Sequence, residues 1–268
     1  PYRYGFNNPM RMTDPSGMEE KTYSNGYSDI SATAAIEVWQ DSRGEPNSTI
    51  VEKNKDGSFK VIGGNAKDGD NGIYLNNGNG GKGDLIGYSA TPESFYFSEE
   101  DQWLGTIDPE DQSGRRFLNE QIISDNPNLA LYMSKGFGGQ PLDFKRTNGT
   151  KSVLFDSPEE FYRGMPILGD KNGKPIFASA RDVGNIGAGI VAGRTGMGWR
   201  SARLGLNSLE SFQKKSFSLE STSTQYGQKL GFRVGYQMFQ KFELSRLPGY
   251  GHLRNLKISA DVINKGDL

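Results

Sequence analysis

The sequence predicts an α+β fold: a β-rich N-terminal half with hairpins, followed by a helical C-terminal half of about three helices. Three observations predict it. Short apolar runs separated by turn residues dominate the first part of the chain. Apolar residues at helical spacing dominate the last part. Glycine is used 36 times in 268 residues, roughly twice the ordinary share, which calls for many turns. A chain of this length is one large domain or two small ones and buries a proper core.

Taken in order, residues 1–18 form a turn-rich stretch of aromatics, Asn-Pro and Asp-Pro-Ser-Gly. Residues 19–35 are polar and read as a linker, leaving 36–268 as the main domain. Strands are expected at Ala35–Trp39, Thr49–Glu52, Phe59–Ile62, Gly72–Leu75 and Leu85–Ser89, with Asp56-Gly57 as a hairpin turn. Asn76 to Gly83 reads as a hairpin loop, since no strand-to-helix context supports a phosphate cradle. A helix is expected over Gly114–Met133, with a break at Asn126-Pro127. Pro141–Lys145, Ser152–Phe155 and Pro175–Ala178 read as extended. Three helices then follow. Ala180–Gly196 is rich in Gly and Ala, so that Gly187, Gly189 and Gly193 serve close helix packing rather than dinucleotide binding. Trp199–Lys215 carries Leu204, Leu209 and Phe212, and Thr222–Leu244 carries Leu230, Val234, Met238 and Phe242, each four apart.

Composition excludes several classes. There are no cysteines, so disulfides, Cys-ligated zinc and thiol catalysis are out. The one histidine, His252, leaves no His cluster for a metal and makes a Ser-His-Asp triad improbable. No cofactor motif is visible, and neither cofactor nor metal is expected. No apolar run reaches the ~18–20 residues of a membrane span, no pore-forming hairpin is visible, and no signal peptide is seen. Residues 181–268 hold 13 Lys+Arg against 6 Asp+Glu, a charge of +7, while residues 1–180 hold 18 against 26, a charge of −8. The halves neutralise one another in one domain, or the basic third meets an anionic substrate or an acidic partner.

The N-terminal stretch carries a motif. Tyr4-Gly-Phe-Asn-Asn-Pro9 is followed by Pro9-Met-Arg-Met-Thr-Asp14-Pro15-Ser-Gly17-Met18, which fits the pattern P-x(4)-D-P-x-G-[LM] at every fixed position. This resembles the end of an Rhs/YD-repeat core, the shell of bacterial polymorphic toxins. The resemblance implies self-cleavage close after Met18 and a toxin domain beyond it. It also implies secretion with the Rhs shell and its secretion apparatus, delivery into the periplasm or cytoplasm of a rival cell, and a cognate immunity protein. Four further blocks resemble toxin domains of Bacteroidetes-type Rhs proteins and polymorphic toxin type 44. They are Asp143-Phe-Lys145, Tyr162-Arg-Gly-Met165, Ala180-Arg-Asp-Val-Gly-Asn185 with Gly189, and Thr224-Gln-Tyr-Gly-Gln228. Such domains often have an aromatic and a histidine after the Gly-Asn, where this chain has Ile186 and Gly187.

Candidate chemistry follows from the residues themselves. Arg181 and Asn185 are i,i+4 on a helix with Asp182 beside them, which brings a cation, a carboxylate and an amide to a helix start. The plainer reading has Asp182 capping the helix and Arg181 paired with a carboxylate. Asp143 and Lys145 would share one face of a strand, as a held general base or as a surface pair. Glu220, ahead of the last helix, offers a second carboxylate or compensates the helix dipole. Gln225 and Gln228 share a helical face and, with Arg163, are candidate substrate-binding groups. Carboxylate-driven hydrolysis suits this set, with peptidoglycan as the leading substrate and nucleic acid as the alternative. Arg163 with Ser221-Thr-Ser223 also resembles ADP-ribosyltransferase toxins, but no [Gln/Glu]-x-Glu follows. A non-enzymatic binding module is the remaining class.

Overall fold

The computed structural model describes residues 47–136, 138–150, 155–171, 174–203, 205–206 and 222–245. The Pro9–Met18 motif, the linker, the strand expected at Ala35–Trp39, Glu220 and His252 lie outside these residues, as does most of Ser152–Phe155. The chain is α+β, with strands first and the long helices last.

Nine strands are present among the described residues: β1 Ser48–Lys53, β2 Phe59–Asn65, β3 Gly72–Asn76, β4 Lys82–Ser89, β5 Tyr96–Phe97, β6 Gln102–Trp103, β7 Thr106–Ile107, β8 Gly164–Lys171 and β9 Lys174–Ser179. Seven of them close into a barrel in the order β1-β2-β7-β8-β9-β4-β3. The β1–β2 hairpin turns where expected. Asp56 accepts hydrogen bonds from the Ser58 amide at 3.0 Å and hydroxyl at 2.7 Å, and Gly57 takes the left-handed φ of 95°. The loop expected over Asn76–Gly83 is the β3–β4 hairpin connection, residues 77–81 between the strand ends, and the Asn76 side chain accepts from the Gly78 and Gly80 amides.

Two expectations need correction. The extended run expected at Pro175–Ala178 lies within β9, but β8 was not expected; both strands follow a run of helices and complete the barrel, with β9 pairing parallel to β4 and β8 parallel to β7. The physical reason lies in β9, whose alternate residues serve two cores. Phe177 packs with Val51, Ile73, Phe95 and Ile107 in one core, while Ile176 and Ala178 pack with the helices in the other. The second correction concerns Pro141–Lys145, which is not extended. Phe144–Thr147 is a helical turn entered from Asp143, so Asp143 and Lys145 do not share a strand face.

The helices are α1 Ser113–Arg116, α2 Leu129–Lys135, α3 Phe144–Thr147, α4 Pro158–Phe161, α5 Ala180–Arg194 and α6 Thr222–Ser245. α1 runs into a π-helical stretch, Phe117–Ser124, before the break expected at Asn126-Pro127. Arg194 stabilises that break by donating to the carbonyls of Ile122 at 2.6 Å and Pro127 at 3.3 Å. Residues 199–203 are helical, but the far half of the expected Trp199–Lys215 helix lies outside the described residues.

α5 and α6 pack backbone to backbone. A Cβ at Gly189 or Gly193 would overlap the carbonyls of Gln228 or Phe232 on α6. Reciprocally, one at Gly231 or Gly235 would overlap those of Ile186 or Ile190 on α5. Glycines four apart on both helices allow this approach, because each turn then presents bare backbone on the same face. The packing role expected for Gly189 and Gly193 is what the structure has. Leu230 and Val234 point into the core as expected, whereas Phe242 is 58% exposed.

Candidate functional site

The start of α5 is where most of the candidate groups meet. Ser179 ends β9 and caps α5, its hydroxyl accepting from the Asp182 amide at 3.2 Å. The cap is therefore Ser179, which leaves the Asp182 side chain to turn elsewhere. Asp182 has no solvent exposure. One of its carboxylate oxygens accepts from Thr91 Oγ1 at 2.9 Å, and the other lies 3.4 Å from Arg181 Nη2.

Arg181 reaches across the molecule. It donates to the Tyr162 phenol at 2.6 Å and to the Glu93 carbonyl at 2.6 Å, and its guanidinium lies 4.6 Å over the Tyr162 ring. The 91–94 turn that receives it is held internally, since Ser94 N donates to the Thr91 carbonyl at 3.2 Å and Thr91 N to Ser94 Oγ at 3.0 Å. The glycine contact brings α6 alongside. A Cβ at Gly227 would meet Asn185 Cβ at 2.7 Å and the Asp182 carbonyl at 3.3 Å. Gln228, 2% exposed, accepts from Arg203 Nη1 at 2.6 Å. Asn185 Nδ2 is buried without a partner among the described residues.

Electrostatics mark the same region. Burial, then the charges of Asp182, Glu93 and Glu99, outweigh Arg181 and push the Tyr162 phenol up to about 12. Burial raises Tyr226 as well, with Glu93 adding to it.

The other candidates sit apart from this cluster or are structurally engaged. Asp143, 5% exposed, accepts from the Gly139 amide at 2.9 Å and precedes α3. Its charge, after burial, raises Tyr132, whose hydroxyl donates to the Gly184 carbonyl of α5 at 3.1 Å. Lys145 points the other way, 5.5 Å over the Phe161 ring. Arg163 donates to the carbonyls of Phe144, Lys145 and Glu160 and to Asn148 Oδ1, and stacks 4.5 Å over Phe155. It is a clasp for the end of α3, and burial lowers its pKa. Gln225 lies half-buried on α6 beside Tyr226. Three of the four motif blocks, those at 162–165, 180–185 and 224–228, thus converge on the first turns of α5, and the fourth touches α5 through Phe144, whose Cβ lies 3.9 Å from where a Cβ at Gly184 would sit.

The chain matches no family model, no curated protein and no solved structure.

Sequence reasoning missed Thr91, Glu93, Tyr162 and Tyr226 as site groups. A signal for the first two existed: Thr91-Pro-Glu-Ser94 is a turn-forming run with a hydroxyl, a rigid proline and a carboxylate. Nothing local showed that it would be clasped by a helix that starts 89 residues later, at Ala180. Among the described residues no three carboxylates or imidazoles come together to hold a metal ion, and no helix is long and apolar enough to cross a membrane. What the cluster offers is two phenols, an unsatisfied amide and a guanidinium fixed by a buried carboxylate, with the half-buried Glu93 on the turn whose carbonyl Arg181 holds.

Proposed function

We propose that residues 19–268 form the toxin end of an Rhs-type polymorphic toxin, delivered into rival bacteria, and that it is a hydrolase attacking peptidoglycan. The observation that carries the toxin reading is the Pro9–Met18 motif, matched at every fixed position ahead of the α+β fold. Its partners are the Rhs shell, the secretion apparatus and a cognate immunity protein that protects the producing cell. Hydrolysis is supported by the polar groups gathered where α5 begins, around Glu93, Tyr162, Arg181, Asn185 and Tyr226. Sugar and peptide groups are recognised by such amides, phenols and carboxylates. Phosphate recognition draws on guanidinium forks, and those of Arg163, Arg181, Arg194 and Arg203 are directed at the protein's own carbonyls, phenol and amide.

The test is expression of residues 19–268 in bacteria, directed either to the periplasm or to the cytoplasm. Lysis or rounding on periplasmic targeting alone is expected. Loss of DNA or RNA on cytoplasmic expression would replace peptidoglycan with nucleic acid. That second reading is favoured by one observation, the +7 charge of residues 181–268, since phosphate neutralisation supplies affinity for nucleic acid. Normal growth in both compartments would remove the toxin reading.

A further inference from the structure

We infer that the Asn76 carboxamide is a chemical guard. It keeps the exposed Asn77-Gly78 and Asn79-Gly80 pairs from converting to aspartate and isoaspartate, and its loss makes the β3–β4 loop a modification site.

The loop cannot dispense with its glycines. Gly78 and Gly80 sit at φ of 90° and 76°, where a side chain is strained, and each follows an asparagine. Asparagine is a thermolabile residue. It is most labile before glycine, whose missing side chain leaves the following amide nitrogen unshielded. Burial offers no defence, since residues 77–80 are all exposed. The attacking group is the glycine nitrogen after loss of its proton, so an N–H held by an acceptor is a poorer nucleophile. Asn76 Oδ1 accepts from both, from the Gly78 amide at 3.0 Å and the Gly80 amide at 2.9 Å. The carboxamide under threat at Asn77 is itself engaged, accepting from the Asn79 amide at 3.0 Å and the Gly81 amide at 3.1 Å. The same device recurs at the other two Asn-Gly pairs among the described residues, Asn71-Gly72 and Asn148-Gly149. The Gly72 amide donates to Asp70 Oδ1 at 2.8 Å, and the Gly149 amide to Thr147 Oγ1 at 3.2 Å. Each of these glycine amides is thus given to a side-chain oxygen, and Asn76 alone serves two of them.

Without the guard, the Gly78 amide loses its proton to hydroxide and its nitrogen bonds to Asn77 Cγ. The Cγ–Nδ2 bond breaks, ammonia leaves with a proton returned from water, and a succinimide ring is closed. Water adds to either ring carbonyl and opens it, giving aspartate or isoaspartate. One water is consumed, one ammonia is released and one negative charge is gained. The isoaspartate form carries an extra backbone atom beside the Asn76–Lys82 pair that ends the β3–β4 ladder. Asn79 reacts in the same way through the Gly80 nitrogen.

The 268-residue chain, Asn76→Ala and Asn76→Asp are held in mildly alkaline buffer, folded and in urea. Peptide mass spectrometry with isoaspartate detection follows each Asn-Gly pair. In the folded, unaltered chain Asn77 and Asn79 are expected to convert about 10-fold more slowly than in urea, and Asn76→Ala to speed both by about 5–10-fold, the scale of one lost hydrogen bond. Asn76→Asp keeps an acceptor oxygen and should leave both slow. Asn71 and Asn148, guarded by other residues, report the rest of the fold and should stay slow in every folded variant. Four outcomes would each overturn the inference: Asn77 and Asn79 as fast folded as in urea, no acceleration in Asn76→Ala, equal acceleration in Asn76→Asp, or all four pairs speeding together. None of them bears on the toxin reading.

Discussion

At Asp182 a carboxylate with no exposure is matched by Thr91 on one side and Arg181 on the other, and the guanidinium in turn depends on it. Removing one partner of such a pair leaves the other charged and buried, at a cost of about 3–5 kcal/mol. Asp182→Ala is expected to lose that much in denaturant unfolding, and Asp182→Asn to lose less because it keeps an oxygen for Thr91. Arg163→Met strands the carbonyls of Phe144, Lys145 and Glu160 and is expected to cost about 3 kcal/mol in the same measurement. A different side-chain group sets the acid limit. Lys82 lies 2.9 Å from Asp68 and 2.8 Å from Asp70. Partial burial opposes ionisation of both carboxylates, but hydrogen bonds from Ser48 and Lys82 to Asp68, and from Lys82, Gly72 and Tyr74 to Asp70, outweigh it and hold both below 3.8. Carboxylates depressed on folding stabilise the protein above the unfolded value, and this contribution disappears as pH falls through the folded value. The stability gap between the protein and Lys82→Met is therefore expected to stay level from about pH 8 to 5 and to close below about pH 4, as read by unfolding at each pH.

Among the elements, the α5–α6 pair is governed by what is missing from its side chains. Gly231→Ala sets a methyl against the Ile186 carbonyl and must part the helices or bend one of them. A loss of about 2–3 kcal/mol is expected. Gly205, also helical, has nothing within 4 Å of its would-be Cβ, and Gly205→Ala should instead gain about 0.5–1 kcal/mol. Thermal melting of the two variants reads both signs. These helices were also the most legible elements in the sequence. Ala180–Gly196 and Thr222–Leu244 were expected, and Ala180–Arg194 and Thr222–Ser245 are found, because long apolar periodicities survive any tertiary context. β8 was not legible: Gly164–Lys171 carries Gly, Pro and Asp, and it is a strand through its pairing with β9. That Arg181, Asp182 and Asn185 would lie together at one helix start was legible from their spacing, while their neighbourhood with Gln228 was set by the α5–α6 packing. The place of Glu93 was not legible, because only the folded chain brings its turn to α5.

For the whole molecule, β9 binds the barrel to the helical layer through alternate side chains, Phe177 on one side and Ile176 and Ala178 on the other. Neither core keeps its wall if the other is lost, so unfolding should be a single transition. Trp103 reports the barrel core and Trp199 the far side of the helices. Fluorescence midpoints of Trp39→Phe/Trp199→Phe and Trp39→Phe/Trp103→Phe, each normalised to its own circular-dichroism midpoint, are expected to coincide. Two separated transitions would show that the layers are independent.

The bare contact between α5 and α6 also limits how the region around Glu93 can move. Backbone bumps of each helix sit in notches left by glycines four residues apart on the other, so intermediate offsets meet a carbonyl. Sliding of one helix along the other comes in steps of one notch, about 6 Å, or does not happen. Gradual adjustment to a ligand is therefore closed to Tyr226 and Gln228, which ride on α6.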